Sequence, residues 1–112
     1  FIKCDVQTVC IGQAASMAAV ILAAGTKGKR IALPNSSIML HQPWGGAEGT
    51  AADITIQAAE IIRKKSILCG IMVKHIGKKE EEILVDTDRD FYMSPEQAKA
   101  YGIVDNVFES KK

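Results

Sequence analysis

Three kinds of residue pattern that would place a chain in a class at once are missing or thin here. There are three cysteines, Cys4, Cys10 and Cys69, an odd number, widely spaced and with no C-x-x-C pair. That argues against a disulfide framework or a zinc site and fits a reducing compartment. Aromatic residues make up 5% of the chain and the formal net charge is +1. Neither stacking platforms nor a basic field is therefore available for nucleic acid or an anionic membrane. No run of about 18 apolar residues occurs, so no segment qualifies as a membrane-crossing helix. The apolar run over residues 14–24 is shorter and has no basic segment before it, unlike a signal peptide. Internal repeats and low-complexity stretches are absent as well.

What remains is the composition of an ordinary globular domain, 47% hydrophobic and 24% charged over 112 residues. One small domain is expected. A chain of this size buries only about two-thirds of the surface it exposes when unfolded, so partner surfaces are expected to contribute. The first residue is Phe1 and the chain starts close to a strand. The expectation is that an N-terminal segment precedes it.

Residues 6–11 are β-branched and apolar and stop at Gly12, which predicts a buried strand. Residues 14–24 are alanine-rich and predict a buried helix stopped by Gly25. Short strands are expected over residues 31–33 and 37–41, with the Pro34-Asn35 turn between them. Residues 43–49 hold three glycines and predict a flexible loop or distorted strand. The spacing of Ile54, Ala58, Ile61, Ile62, Leu68, Met72 and Ile76 predicts one long helix over residues 51–76. A second helix is expected over residues 79–85. Ser94-Pro95-Glu96-Gln97 is a strong helix start with a capping box, and that helix should end at Gly102. A final strand is expected over residues 103–108. Short strands alternating with helices argue for an α/β fold. The basic clusters Lys27, Lys29, Arg30 and Arg63, Lys64, Lys65 are read as solvated helix ends and faces, and Cys10 as a small core residue.

The chemistry concentrates in three places. In Gly12-Gln13-Ala14-Ala15-Ser16-Met17 a strand ends in glycine and a serine opens an apolar helix. A helix N-terminus offers unpaired N–H groups and positive partial charge, so an oxyanion formed beside Ser16 would be stabilised there, with the Met17 N–H as donor. The competing reading is a serine that only caps the helix. In Ile38-Met39-Leu40-His41-Gln42-Pro43 a histidine ends an apolar strand before a glycine-rich loop, placed to take a serine proton. In Asp86-Thr87-Asp88-Arg89-Asp90, one acid would hold the imidazole tautomer, and residue physics alone does not choose among the three. His75, beside Lys74, is read as decoration of the long helix's C-terminal end. Glu80, Glu81 and Glu82 are read as an exposed helix face. The Gly45-Gly46 loop lacks the lysine of a phosphate-binding loop.

These segments resemble the Clp-type serine protease family, ClpP. The likeness rests on the stretches around Ser16, His41 and Asp90, on Met93-Ser94-Pro95, and on Gly25-Thr26-Lys27-Gly28-Lys29-Arg30, Leu33-Pro34-Asn35 and Tyr101-Gly102-Ile103-Val104-Asp105. Three motifs in the family's order over nearly the whole chain make it specific. The resemblance assigns the acid to Asp90, the residue after the arginine, and gives Asp88 and Arg89 a role in contacting an opposite ring. It implies a crotonase-like α/β spiral spanning residues 1–112 as one peptidase domain, with the long helix as a protruding handle. Residues 43–49 would then bind an extended peptide by strand addition, through Gln42, Pro43, Gly45 and Gly46. It further implies two stacked seven-membered rings, an AAA+ unfoldase partner (ClpX or ClpA/ClpC type) that uses the ATP, and unfolded polypeptide as substrate. No metal or organic cofactor would be held in this chain. A bacterial cytoplasm is expected, with a mitochondrial or plastid matrix as the alternative.

The family pattern has an upstream glycine pair, one of which would supply a second oxyanion N–H, and that pair is not in this sequence. Ala18 stands where the family commonly has glycine. Two other readings compete: a non-catalytic ring subunit or inactive fragment of the same family, and an acyl-CoA enzyme of the crotonase fold, which would not need Ser16, His41 and Asp90 together.

Overall fold

The computed structural model describes residues 1–43 and 45–111. In chain order the elements are β1 (Thr8–Cys10), β2 (Gln13–Ala15), α1 (Met17–Ala23), β3 (Arg30–Ala32), β4 (Ser37–Leu40), α2 (Ala51–Ile76), α3 (Glu80–Asp86), β5 (Phe91–Met93), α4 (Pro95–Tyr101) and β6 (Asn106–Val107). The fold is mixed α/β, with small sheets and four helices among the described residues.

One sheet has the order β1-β3-β6 and is parallel throughout. The other has the order β2-β4-β5; β2 runs parallel to β4 with Ala14 opposite Ile38, and β5 antiparallel with Phe91 opposite Leu40. The apolar core is one cluster. It joins Ala19, Leu22 and Ala23 of α1, Ile38 and Leu40 of β4, Cys69, Met72 and Ile76 of α2, and Ile83, Ala98 and Ile103.

The long helix has the bounds that its periodicity predicts. Its start is a capping box between Thr50 and Asp53, and its end is Gly77 in the left-handed conformation. At 26 residues it is about 39 Å long. Only its C-terminal third, with Cys69, Met72 and Ile76, is buried. The chain is accordingly 61 Å long but only 31 × 23 Å across. In α4, Ser94 caps the Gln97 N–H, Gln97 closes the box, and Pro95 is the first helical residue, as expected.

Several expectations need correction. Residues 6–11 are not a buried strand: only Thr8–Cys10 pairs, and Val9 and Ile11 are 42% and 73% exposed. Cys10 is buried, while strand alternation turns Val9 to the uncovered face. The expected helix over residues 14–24 begins only at Met17, because Gln13–Ala15 pairs with β4 and non-local pairing outweighs alanine's helix propensity. The expected final strand shrinks to Asn106–Val107. A strand at Phe91–Met93, not anticipated, follows the acidic segment.

Arg30 is the largest departure. Read as a solvated cation, it is 2% exposed. Its Nε and Nη2 donate to the Asp105 carboxylate at 3.0 and 2.7 Å. Its Nη1 donates to the Ala23 carbonyl at the end of α1 and to the His75 carbonyl at the end of α2. One guanidinium thus satisfies carbonyls at two helix C-termini, which intrahelical bonds leave open. The fork holds the Asp105 carboxyl down to about 2, helped by the Arg30 and Gly28 N–H groups against the opposing effect of burial. His75 is half-buried rather than surface decoration. Burial pushes its pKa down, and Lys74, Arg30 and Lys27 add to the shift.

Gly102 closes α4 at φ +104°, and a Cβ there would lie 2.6 Å from the Ile76 carbonyl oxygen. Gly102→Ala is therefore expected to lower the unfolding free energy by roughly 2–4 kcal/mol, from left-handed strain plus overlap with fixed backbone. Urea denaturation checks this; a change below about 0.5 kcal/mol would mean that the α2–α4 contact yields freely.

Candidate active site

Ser16 sits at the junction of β2 and α1. Its φ of 59° and ψ of −123° are unusual for a residue with a side chain, and its hydroxyl makes no capping hydrogen bond. Such a conformation costs of order 1–3 kcal/mol and persists where surrounding structure imposes it. Here the Ser16 N–H donates to the Met39 carbonyl at 3.0 Å, and its own carbonyl accepts from Ala19 and Val20. A capping role for the side chain is thus not what the geometry contains. The Met17 N–H, at the first helical position, has no intrahelical carbonyl to bond.

His41 follows β4 and is half-buried. With Ser16, Met17 and Val20 it lines a cavity of about 440 Å³ whose other walls are Pro43 and, from α2, Leu68 and Met72. It also lines a second cavity of about 480 Å³ with Gln42, Thr87, Asp88, Arg89 and Asp90. The imidazole therefore stands between the serine and the acidic loop. Its Nδ1 is hydrogen-bonded to the Gln42 carbonyl. A carbonyl only accepts, so Nδ1 is the donor in this bond. Among the described residues no hydrogen bond joins His41 to Ser16 or to Asp90.

The acidic loop is tied to the strand that carries His41. The Gln42 N–H donates to the Thr87 carbonyl at 3.1 Å, and the Gln42 amide Nε2 donates to the Asp88 carbonyl at 3.2 Å. Thr87 is buried and donates its hydroxyl to the Ile83 carbonyl at 2.7 Å. Asp88, Arg89 and Asp90 are exposed. Pro43 is half-buried in the serine cavity, while Gly45 and Gly46 are exposed and outside any strand. Among the described residues no three His, Cys, Asp or Glu side chains come together as a metal site requires.

The model of the Clp protease family matches residues 1–111. The chain belongs to the Clp protease family. The match takes in every element from β1 to β6, and so both cavities that meet at His41. Family membership makes this a peptidase chain in general terms, and the Clp family is generally oligomeric. Isoleucines of α2 such as Ile56 and Ile62 are 69% and 67% exposed in the single chain.

Sequence reasoning missed Thr87, Leu68 and Val20 as parts of the site. Leu68 and Met72 were legible only as core positions of the long helix; that they wall the serine cavity depends on where α2 crosses α1. Thr87 was lost among the acids beside it.

Proposed function

We propose that this chain is the proteolytic subunit of a self-compartmentalised serine endopeptidase that cleaves unfolded polypeptide. Ser16 is the nucleophile, His41 the base and Asp90 the acid that orients it. The Ser16 backbone carries this reading: a strained serine at a strand–helix turn, its hydroxyl uncommitted to capping, in one cavity with a histidine whose Nε2 makes no hydrogen bond among the described residues.

In the reaction, Ser16 Oγ attacks the peptide carbonyl carbon while its proton passes to His41 Nε2. The Met17 N–H faces the developing oxyanion. The tetrahedral intermediate expels the amine, which takes the proton from His41. Water, deprotonated by His41, then releases the acyl group and restores Ser16. For this state the imidazole exchanges its Nδ1 bond from the Gln42 carbonyl to Asp90. Gln42, Pro43, Gly45 and Gly46 hold the substrate as an added strand. Asp88 and Arg89 contact the opposite ring of a pair of stacked heptamers, where α2 serves as the handle of a crotonase-like spiral. ATP is used by an AAA+ unfoldase that feeds the chamber, in a bacterial cytoplasm or an organelle matrix. The chain itself needs no cofactor.

The bond from His41 to Gln42 rather than Asp90 favours one second reading, a ring subunit that assembles without catalysing. A fluorophosphonate probe separates the two. Labelling of the assembled protein is expected, with complete loss in Ser16→Ala and an unchanged particle size. An assembly that takes up no probe establishes the non-catalytic subunit instead.

A further inference from the structure

We propose that Tyr101 is a positioning residue for the catalytic acid, bracing both ends of the loop that carries Asp90. The inference rests on the reading of Asp90 as the orienting acid. Tyr101 is the last residue of α4 and is 9% exposed. Its hydroxyl donates to the Asp86 carboxylate at 2.9 Å, and Asp86 is the last residue of α3, immediately before the loop. Its ring packs on Phe91, the residue immediately after Asp90, with centroids 5.3 Å apart and planes tilted by 59°. One side chain therefore touches the chain on both sides of residues 87–90.

The brace connects to the base. Phe91 is the register partner of Leu40, the residue before His41. Asp90 is exposed, and among the described residues its carboxylate has no hydrogen bond or ion pair of its own. Its position is thus set by the loop backbone. Gln42 holds the first half of that loop, at Thr87 and Asp88, and Tyr101 holds the residues that flank it, Asp86 and Phe91. The Lys78 ammonium lies over the Tyr101 ring, 4.6 Å from its centroid, and adds a cation–π contact that holds the ring. The hydroxyl stays a donor at all working pH values: burial, then the bond to Asp86, push its pKa far above the ordinary value.

The test uses the assembled protein and a short fluorogenic peptide, with Tyr101→Phe, Asp86→Ala and the double variant. Each single change removes the same hydrogen bond and keeps the Phe91 contact. The expected result is a fall in kcat of about tenfold with KM within about twofold, because misplacement by a fraction of an ångström acts on the transition state and not on binding. A carboxylate displaced from the imidazole stabilises its charged form less. The acidic limb of the kcat profile, which reports the enzyme–substrate complex, should therefore move to lower pH, with Asp88 and Arg89 the other charged groups around His41. The double variant should be no slower than the singles. Wild-type kcat in Tyr101→Phe, with Ser16→Ala inactive, overturns the brace and leaves the triad standing. A loss of kcat that follows particle dissociation or melting, with the acidic limb unmoved, overturns it too, by reducing Tyr101 to a packing residue. Retained activity in Ser16→Ala removes the triad and the brace together.

Discussion

Arg30→Met is expected to lower the unfolding free energy by about 3–5 kcal/mol, since removing one partner leaves the rest of a buried ionic cluster uncompensated. Arg30 is buried and makes four contacts at once: two to the Asp105 carboxylate and one each to the Ala23 and His75 carbonyls. Methionine fills most of the volume but supplies no side-chain donor, so the carbonyls at the ends of α1 and α2 lose their partner and the Asp105 carboxylate keeps only the backbone N–H groups of Gly28 and residue 30. Asp105 keeps 20% exposure and can rehydrate in part, which places the expected loss toward the lower end. Arg30→Lys should recover only part of it, because an ammonium cannot reproduce the planar fork. Urea denaturation measures both; equal stability of Arg30→Met and wild type would show that the cluster is replaceable by packing alone.

The same cluster sets an acid limit. Asp105 has its carboxyl depressed in the folded chain from 3.8 to about 2. A depressed carboxyl contributes stability above its unfolded value and loses it as pH falls toward the folded one. The contribution, of order 2 kcal/mol, is complete above about pH 5 and should fade between about pH 4 and 2. Asp105→Asn should be less stable at neutral pH and should lack this part of the acid decline.

The second large effect concerns which acid works. Asp90→Asn is expected to reduce kcat by about 10⁴-fold, the cost of presenting an amide where the imidazole tautomer must be held by a carboxylate. Asp88→Asn should change kcat of the intact particle by less than about tenfold, its consequences lying in assembly. Sizing beside peptide hydrolysis separates the two. Loss in Asp88→Asn on intact particles, with Asp90→Asn active, would transfer the orienting role to Asp88.

The parts of this fold that were legible in the sequence are those whose cause is local. The helix Ala51–Ile76 carries its own periodicity, and Ser94, Pro95 and Gln97 carry their own cap. The alanines before Ser16 were misjudged because Gln13–Ala15 becomes a strand only by pairing with Ser37 to Met39, more than twenty residues on. Phe91–Met93 went unseen for a similar reason: three residues are too few to show alternation, and its pairing partner is β4. Arg30 was misjudged because nothing beside it in the chain announces that Asp105 and two helix ends converge on it.

For the site, the sequence alone determined the candidate chemistry: a serine opening an apolar helix, a histidine ending a strand, and an acidic segment. Only the tertiary structure decided that Ser16 and His41 share a cavity and that Ser16 holds a positive φ instead of capping its helix. It also decided that the His41 ring is bonded to Gln42 in this state. The physical reason is the reach of the interactions. Caps and periodicities are set by residues three or four apart, whereas a cavity, a forced dihedral and a buried cation are set by segments that meet only when the chain has folded.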